Sequence, residues 1–445
     1  MMAPPPPVAS RHLLAYALPA LPLAMLVLPT YVYLPAVYAQ AGVPLASVGL
    51  VLLLARLWDG VTDPLVGMLS DRTRSRFGRR RPWIAAGLPL TLISLWFLLV
   101  PGDRAGIGHL LGWSMALYLG WSMMIVPLTA WGAELSGDYH QRTRIAGFRE
   151  AATVIGTVLA LSLPFAAGVG GAGRQADALR LLALTVLMLL PALTIIALLA
   201  VPEYPQPQSR KLNFRRGMKI IFANGAFRKL ILAYVINGVA NGLPAQLFLF
   251  FVQHLLMEGD RAGLLLLCYF ASGLVAVPLW SRLSHKYGKH VVWRWAMIWN
   301  IAWFLPVPLL GPGDFVPFLV ICVMTGLSLG ADLVLPSAMQ ADVVDMDTAR
   351  TGRARTGLYF AFWGLATKLA TALAALGLTV AGLFGFDPAT GGTPPGLTAL
   401  AALYVGVPVM FKAAAIALLW RWPLTPAVQA GLRARIERRW PAAGT

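Results

Sequence analysis

Two aspartates four residues apart, Asp59 and Asp63, stand with Arg56 inside the apolar run "LARLWDGVTDPLVGML". Spacing of four puts both carboxylates on one helical face, where they can converge on a single ligand. Pro64 follows and has no N–H, so the carbonyl of Gly60 loses its usual helical partner. Two carboxylates and a free carbonyl are hard oxygen donors. They suit a small cation such as Na⁺, or a proton shared between acids. A charged group near the centre of a membrane span costs about 2.5–3.5 kcal/mol, so three together need a reason. The competing reading is an internal Arg–Asp network that only ties helices together.

Other polar residues occupy similarly expensive positions. Arg149 opens an apolar run in "TRIAGFREAATVIG", Lys368 lies in the middle of "GLYFAFWGLATKLATALAALG", and Asp332 lies in "GADLVLPSAMQADVVD". A lone lysine in hydrocarbon needs a carboxylate partner, so Lys368 predicts an ion pair across a central cavity. For Lys412 the expectation is a side chain reaching back to an interface. Tyr16, Tyr31, Tyr33, Tyr359 and Trp363 mark faces on which an amphipathic solute could stack, although membrane Tyr and Trp are often interfacial anchors.

These residues need long apolar elements to hold them, and the chain supplies them. Of its 445 residues, 58% are hydrophobic and 12% charged, with a mean hydropathy of +0.69. That is an integral membrane composition. About twelve runs are long enough to cross as helices: 12–39, 47–69, 83–101, 108–134, 145–168, 178–201, 230–256, 261–281, 290–310, 316–341, 356–384 and 396–420. Pro19, Pro22, Pro29 and Pro35 predict a bent or broken span 1, tolerated where protein or a water-filled cavity covers the freed backbone.

The net charge of +18 is distributed by topology. Most Lys and Arg precede span 1, follow even-numbered spans or follow span 12, whereas the segments after odd spans carry Arg104, Arg174, Arg180 and Arg261. Positive charge collects on the cytoplasmic side, so both termini are expected there, in the plasma (inner) membrane. This excludes nucleic acid as the reason for the charge. The first apolar run is too long for a signal peptide and is kept as span 1. Cys268 and Cys322 lie inside spans with no metal-ligand spacing around them and read as packing residues.

The chain repeats itself. "SDRTRSRFGRRRPW" follows span 2 and "SRLSHKYGKHVVW" follows span 8, so that Phe77-Gly78-Arg79 matches Tyr287-Gly288-Lys289. Trp83 and Trp293 each fall five residues beyond the glycine. The expected organisation is a six-span bundle over 1–201, a cytoplasmic loop over 202–229 with a short surface helix, a second bundle over 230–420, and a basic tail over 421–445. Two six-helix repeats are the pattern of major facilitator transporters, with the solute path between the halves.

Three segments carry a closer resemblance. "WDGVTDPLVGMLSDRTRSRFGRRRPW", "VPLTAWGAELSGDYHQRTRIAGFRE" and "MQADVVDMDTARTGRARTGLYFAFWGLATKLA" resemble the glycoside–pentoside–hexuronide:cation symporters, the melibiose-carrier branch of that superfamily. The resemblance implies an all-α integral membrane protein with twelve transmembrane helices. It implies that Asp59 and Asp63 bind the transported cation, Na⁺ or H⁺, with Ser122 completing the site. Arg149 matches an arginine near the sugar pocket and Lys368 a lysine near both sites. Asp71, Arg72, Arg79, Arg142 and Arg353 fall in the cytoplasmic gate, where the halves lock when the carrier faces outward.

Two departures bear on the solute. No acid stands in "YALPALPLAML" of span 1, and the positions where the branch has a sugar-contacting aspartate and a tryptophan on span 4 read Ile125 and Thr129. Asp332 and Asn241 could substitute. The implied function is symport of a small organic solute, by default a sugar or glycoside, through alternating access. The partners are that solute, a monovalent cation and the bilayer; the protein is expected to act as a monomer without a cofactor. An amphipathic, lysolipid-like solute is the alternative. A membrane enzyme or sensor is disfavoured, because the six histidines form no acid/base or metal constellation.

Overall fold

The computed structural model of the protein describes residues 9–102, 105–136, 139–169, 174–203, 221–351, 356–388, 391–425, 427–429 and 431–432. The surface helix expected in the central loop, the gate residue Arg353 and most of the basic tail lie outside these residues; Arg142 lies in a helix, but its side chain is outside the description.

Apolar residues all round each run produce helices, as they must where lipid offers the backbone no hydrogen bonds. Span 1 comprises Ser10–Ala17, Ala20–Met25 and Val27–Gln40. Its breaks fall at Leu18–Pro19 and Leu26, while Pro35 is carried within a continuous helix. Spans 2 to 6 are Leu45–Arg72, Arg81–Leu99, Ile107–Glu134, Tyr139–Ala166 and Gln175–Ala200. Spans 7 and 8 are Gly225–His254 and Ala262–Tyr287. Asn224 caps span 7 by accepting the N–H groups of Ala226 and Phe227 at 3.1 and 3.3 Å, which places its start five residues before the sequence estimate.

Span 9, Lys289–Phe304, is followed by a short turn, Val307–Leu309. Span 10, Phe315–Thr351, runs ten residues past the expected end, because its polar "ADVVDMDTAR" continues as helix beyond the apolar stretch. Span 11 is Thr356–Leu383. Span 12 comprises Pro394–Ala401, a π-helical turn Ala402–Gly406, and Val407–Trp420. Among the described residues, eleven helices are long and apolar enough to cross a membrane; span 9 is the shorter twelfth.

The repeat seen in the sequence has a shared conformation. Gly78 and Gly288 both have positive φ, 96° and 91°, which glycine adopts without the clash a side chain would meet. A Cβ on Gly78 would also collide with the Glu203 carboxylate.

Span 2 packs on span 11 and span 5 on span 8, joining the two halves. On the face opposite the start of span 1 the fit is close. Backbone there approaches through small residues, as membrane helices commonly do: Gly49 lies against Thr379 and Ala375, Gly382 against Ala46, and Thr379 Oγ1 donates to the Ala46 carbonyl at 3.1 Å.

Candidate functional site

Span 2 stays helical through Pro64 and carries Asp59, which is 3% exposed, and the more open Asp63. Ser122 of span 4, fully buried, donates to Asp63 Oδ1 at 2.6 Å and to Asp59 Oδ1 at 3.4 Å. Thr62 joins them, sharing a 3.1 Å hydrogen bond with Ser122 and donating to the Asp59 carbonyl at 3.2 Å. The structure thus brings Asp59, Asp63 and Ser122 to one place. The backbone oxygen turned into the cluster is that of Asp59.

The centre of the cluster holds an ammonium. Lys368 of span 11 reaches across from the other half, its Nζ at 2.7 Å from Asp59 Oδ1 and 2.5 Å from Asp63 Oδ2, and donates to the Asp59 carbonyl at 3.0 Å. Arg56 lies on the far side of Asp59 at 3.6 Å. Its guanidinium is sandwiched between the rings of Tyr31 and Tyr118, 4.4 Å from each centroid, a stacking that favours a cation over the ring faces. Two carboxylates face two cations, so the cluster is formally neutral. Among the described residues, Lys368 makes the only ion pairs that join the two halves.

The remaining candidates are distributed more widely. Arg149 donates to Thr129 Oγ1 at 2.8 Å and pairs with Glu150 at 2.6 Å. Trp363 stacks on Tyr234, with centroids 3.8 Å apart. Tyr359 is fully buried at the start of span 11, where its hydroxyl accepts from Asn224 and its ring packs edge-on against Phe227. Tyr31 is engaged by Arg56 as described.

Asp332 and Asn241 belong to a second polar cluster, entirely within the second half. Asp332 accepts from Asn237 and Asn241, both at 2.9 Å, and from Trp293 Nε1 at 2.6 Å. Lys412 donates to the side-chain oxygens of Asn237 at 3.0 Å and Asn241 at 2.6 Å, with Asp332 at 3.9 Å. Lys412 therefore does not reach an interface. It is 3% exposed, because span 7 offers it two amide oxygens at depth. Asn237 and Asn241, spaced four apart, were the sequence signal for that cluster. Beside it lies a cavity lined by Phe248, Phe270, Phe304, Phe318, Tyr404 and Lys412 among others.

Of the expected gate residues, Asp71 and Arg79 make ion pairs within the first half. Arg80 contacts Asp71 at 2.5 Å and Glu134 at 2.7 Å; Arg79 contacts Glu134 at 2.6 Å; Glu203 accepts the backbone N–H of Arg79 at 2.6 Å and of Arg80 at 2.8 Å. Arg72 is exposed at the end of span 2. Among the described residues these pairs lie within the first half, while Arg353 and the Arg142 side chain fall outside them. The second half repeats the device, with Lys289 at 2.7 Å from Asp342 and donating to the Ala338 carbonyl at 3.2 Å.

The family described as "MFS/sugar transport protein" matches residues 15–426. A symporter of Synechocystis is 27% identical, over 90% of this chain and 91% of its own. The human sodium-dependent lysophosphatidylcholine symporter 1 is 25% identical, over 76% and 68%. The inner membrane symporter YicJ of Escherichia coli is 25% identical, over 72% and 70%. Among solved structures, the D-xylose–proton symporter superimposes with a TM-score of 0.64 at 14% identity, covering 94% of this chain and 96% of that one. The nucleoside transporter NupG gives 0.62 at 13% identity, covering 96% and 100%. At these identities the two structures bear on the fold alone.

Proposed function

Since the chain belongs to the MFS/sugar transport protein family and is a multi-pass membrane transporter rather than an enzyme, we propose that it couples a monovalent cation, Na⁺ or H⁺, to the symport of a small organic solute, by default a sugar or glycoside. The observation that carries this reading is the cluster of Asp59, Asp63 and Ser122 with the Lys368 ammonium between the carboxylates.

Coupling follows from charge balance. A cation arriving between Asp59 and Asp63 has to displace the Lys368 ammonium, since both carboxylates cannot serve two positive centres at the same point. Displacing it also breaks the ion pairs between span 2 and span 11. Ion occupancy and the relative placement of the halves are then linked, and a ligand shifts such an equilibrium by its difference in affinity for the two arrangements. By linkage, solute and cation strengthen each other's binding equally. Arg149 with Thr129, together with Tyr31 and Trp363, is the proposed solute-facing set; the family description supports the sugar default.

A second reading keeps the fold and changes the cargo to an amphipathic, lysolipid-like solute. The aromatic cavity beside Lys412 favours it, being apolar over most of its wall with one cationic end. The printed name of the human relative supports it as well. The plasma (inner) membrane is the proposed location, with both termini cytoplasmic and the protein working as a monomer.

A thermal-shift screen of purified protein with and without Na⁺ separates the cargoes. Sugars that raise the melting point only with Na⁺ support the first reading. Lysolipids doing so in their place support the second, and a response to neither class removes both.

A further inference from the structure

Where span 7 begins and span 12 ends, four cations gather around two adjoining grooves. One groove is lined by Gly225, Arg228, Lys229, Leu232, Arg350 and Leu418 among others. The next shares Lys229 and Leu418 and continues along Ile416, Trp420 and Arg421. Arg228, Lys229, Arg350 and Arg421 are all exposed. Among the described residues none of the four is paired with a carboxylate; Lys229 Nζ donates only to the Arg421 carbonyl, at 3.4 Å. On the opposite face Arg174 pairs with Asp177 and Arg261 with Glu258. On the basic face Arg72, Arg74, Arg282 and Lys286 are exposed and, among the described residues, likewise without a carboxylate. What distinguishes this patch is the pair of grooves beneath its cations. Among the described residues, then, no carboxylate balances the positive charge of this patch.

The apolar side of the grooves is equally exposed. Leu232 is 49% and Trp420 65% accessible, and both lie on helices that the hydropathy pattern places in the membrane. A tryptophan at that level marks the boundary between acyl chains and headgroups. The cations thus sit at headgroup height, directly above a channel of leucine, isoleucine and indole at acyl-chain height.

We propose that this site binds an anionic membrane phospholipid, its phosphate among Arg228, Lys229, Arg350 and Arg421 and an acyl chain along Leu232, Ile416 and Trp420. Basic pockets between membrane helices on the positively charged face attract anionic headgroups more than zwitterionic ones, because the attraction scales with net charge close to the surface. The apolar groove adds chain length dependence, which a purely ionic site lacks.

The test uses the full-length protein in detergent, with retained lipid read by native mass spectrometry after incubation with phosphatidylglycerol or phosphatidylcholine. Wild type is expected to retain phosphatidylglycerol in preference. The double variant Arg228→Gln/Lys229→Gln should lose roughly tenfold of that retention and leave phosphatidylcholine unchanged. Arg174→Gln/Arg261→Gln, on the opposite face, should retain phosphatidylglycerol like wild type, and Lys229→Arg should behave as wild type. Circular dichroism and gel filtration establish that the variants are folded. Equal retention of the two lipids, or unchanged phosphatidylglycerol in the Arg228/Lys229 variant, overturns the proposal. So does displacement of the lipid by millimolar inorganic phosphate, which would mark a simple anion site.

Discussion

Replacing Lys368 by Gln separates a carrier site from a structural ion pair. In the wild-type protein the ammonium lies 2.7 and 2.5 Å from the two carboxylates, and the cluster of Arg56, Asp59, Asp63 and Lys368 is neutral. Each contact corresponds to about 6 kcal/mol of Coulomb energy at an effective dielectric constant near 20, before desolvation is subtracted. The net quantity is smaller: removing one partner of a buried pair costs about 3–5 kcal/mol, and part exposure of Asp63 favours the lower end. Lys368→Gln should therefore be about 3 kcal/mol less stable in a medium of bulky organic cations. It also leaves the cluster with one uncompensated negative charge and no internal competitor. A small cation should then bind at least about tenfold more tightly than in wild type, since even 1.4 kcal/mol of displacement cost removed gives that factor. The assay is denaturant unfolding of the purified variant, followed by circular dichroism, while Na⁺ is titrated against choline. If a proton is the coupling ion, acidification should stabilise the variant in place of Na⁺. A variant whose stability responds to neither ion refutes the reasoning, because the carboxylates would then be serving the helices alone.

Three further outcomes are expected. Gly78→Ala should destabilise the first half by about 1–2 kcal/mol from its positive φ, with more from the collision with Glu203, read as a lowered melting temperature. Lys412→Met should cost about 3 kcal/mol by leaving Asp332 without its nearby cation and two asparagine oxygens unpaired, measured by the same unfolding assay. Ser122→Ala should keep the fold but weaken ion-dependent stabilisation by about 1.5–3 kcal/mol, the value of a hydrogen bond to a charged group, seen as a right-shifted Na⁺ or proton titration.

The fold was legible because lipid removes choices. Long apolar runs can only be helices there, and the repeated glycine turn after spans 2 and 8 announced two related halves. Helix ends were less readable, since polarity and helicity part company at the membrane surface: span 10 continues as helix through a charged sequence. The aspartate pair showed itself through its cost, and so did Lys368, whose need for a carboxylate partner was stated by its position alone. The sequence did not show that this partner is the aspartate pair itself, because spans 2 and 11 are some 300 residues apart in the chain. Lys412 was misread for a related reason. Its nearest partners are two asparagine oxygens of span 7, and the acid that accompanies them, Asp332 at 3.9 Å, lies on a third helix, a meeting that only the packing of three spans reveals. The gate arginines were visible as a block, but the choice of Glu134 and Glu203 as their partners depends on how three loops fold back within one half.

The most direct measurement is uptake into proteoliposomes driven by an imposed Na⁺ or pH gradient, using whichever solute the thermal screen identifies. Wild type should accumulate it, and Asp59→Asn and Asp63→Asn should each abolish accumulation while the protein remains inserted. Undiminished gradient-driven accumulation in both variants would contradict the account.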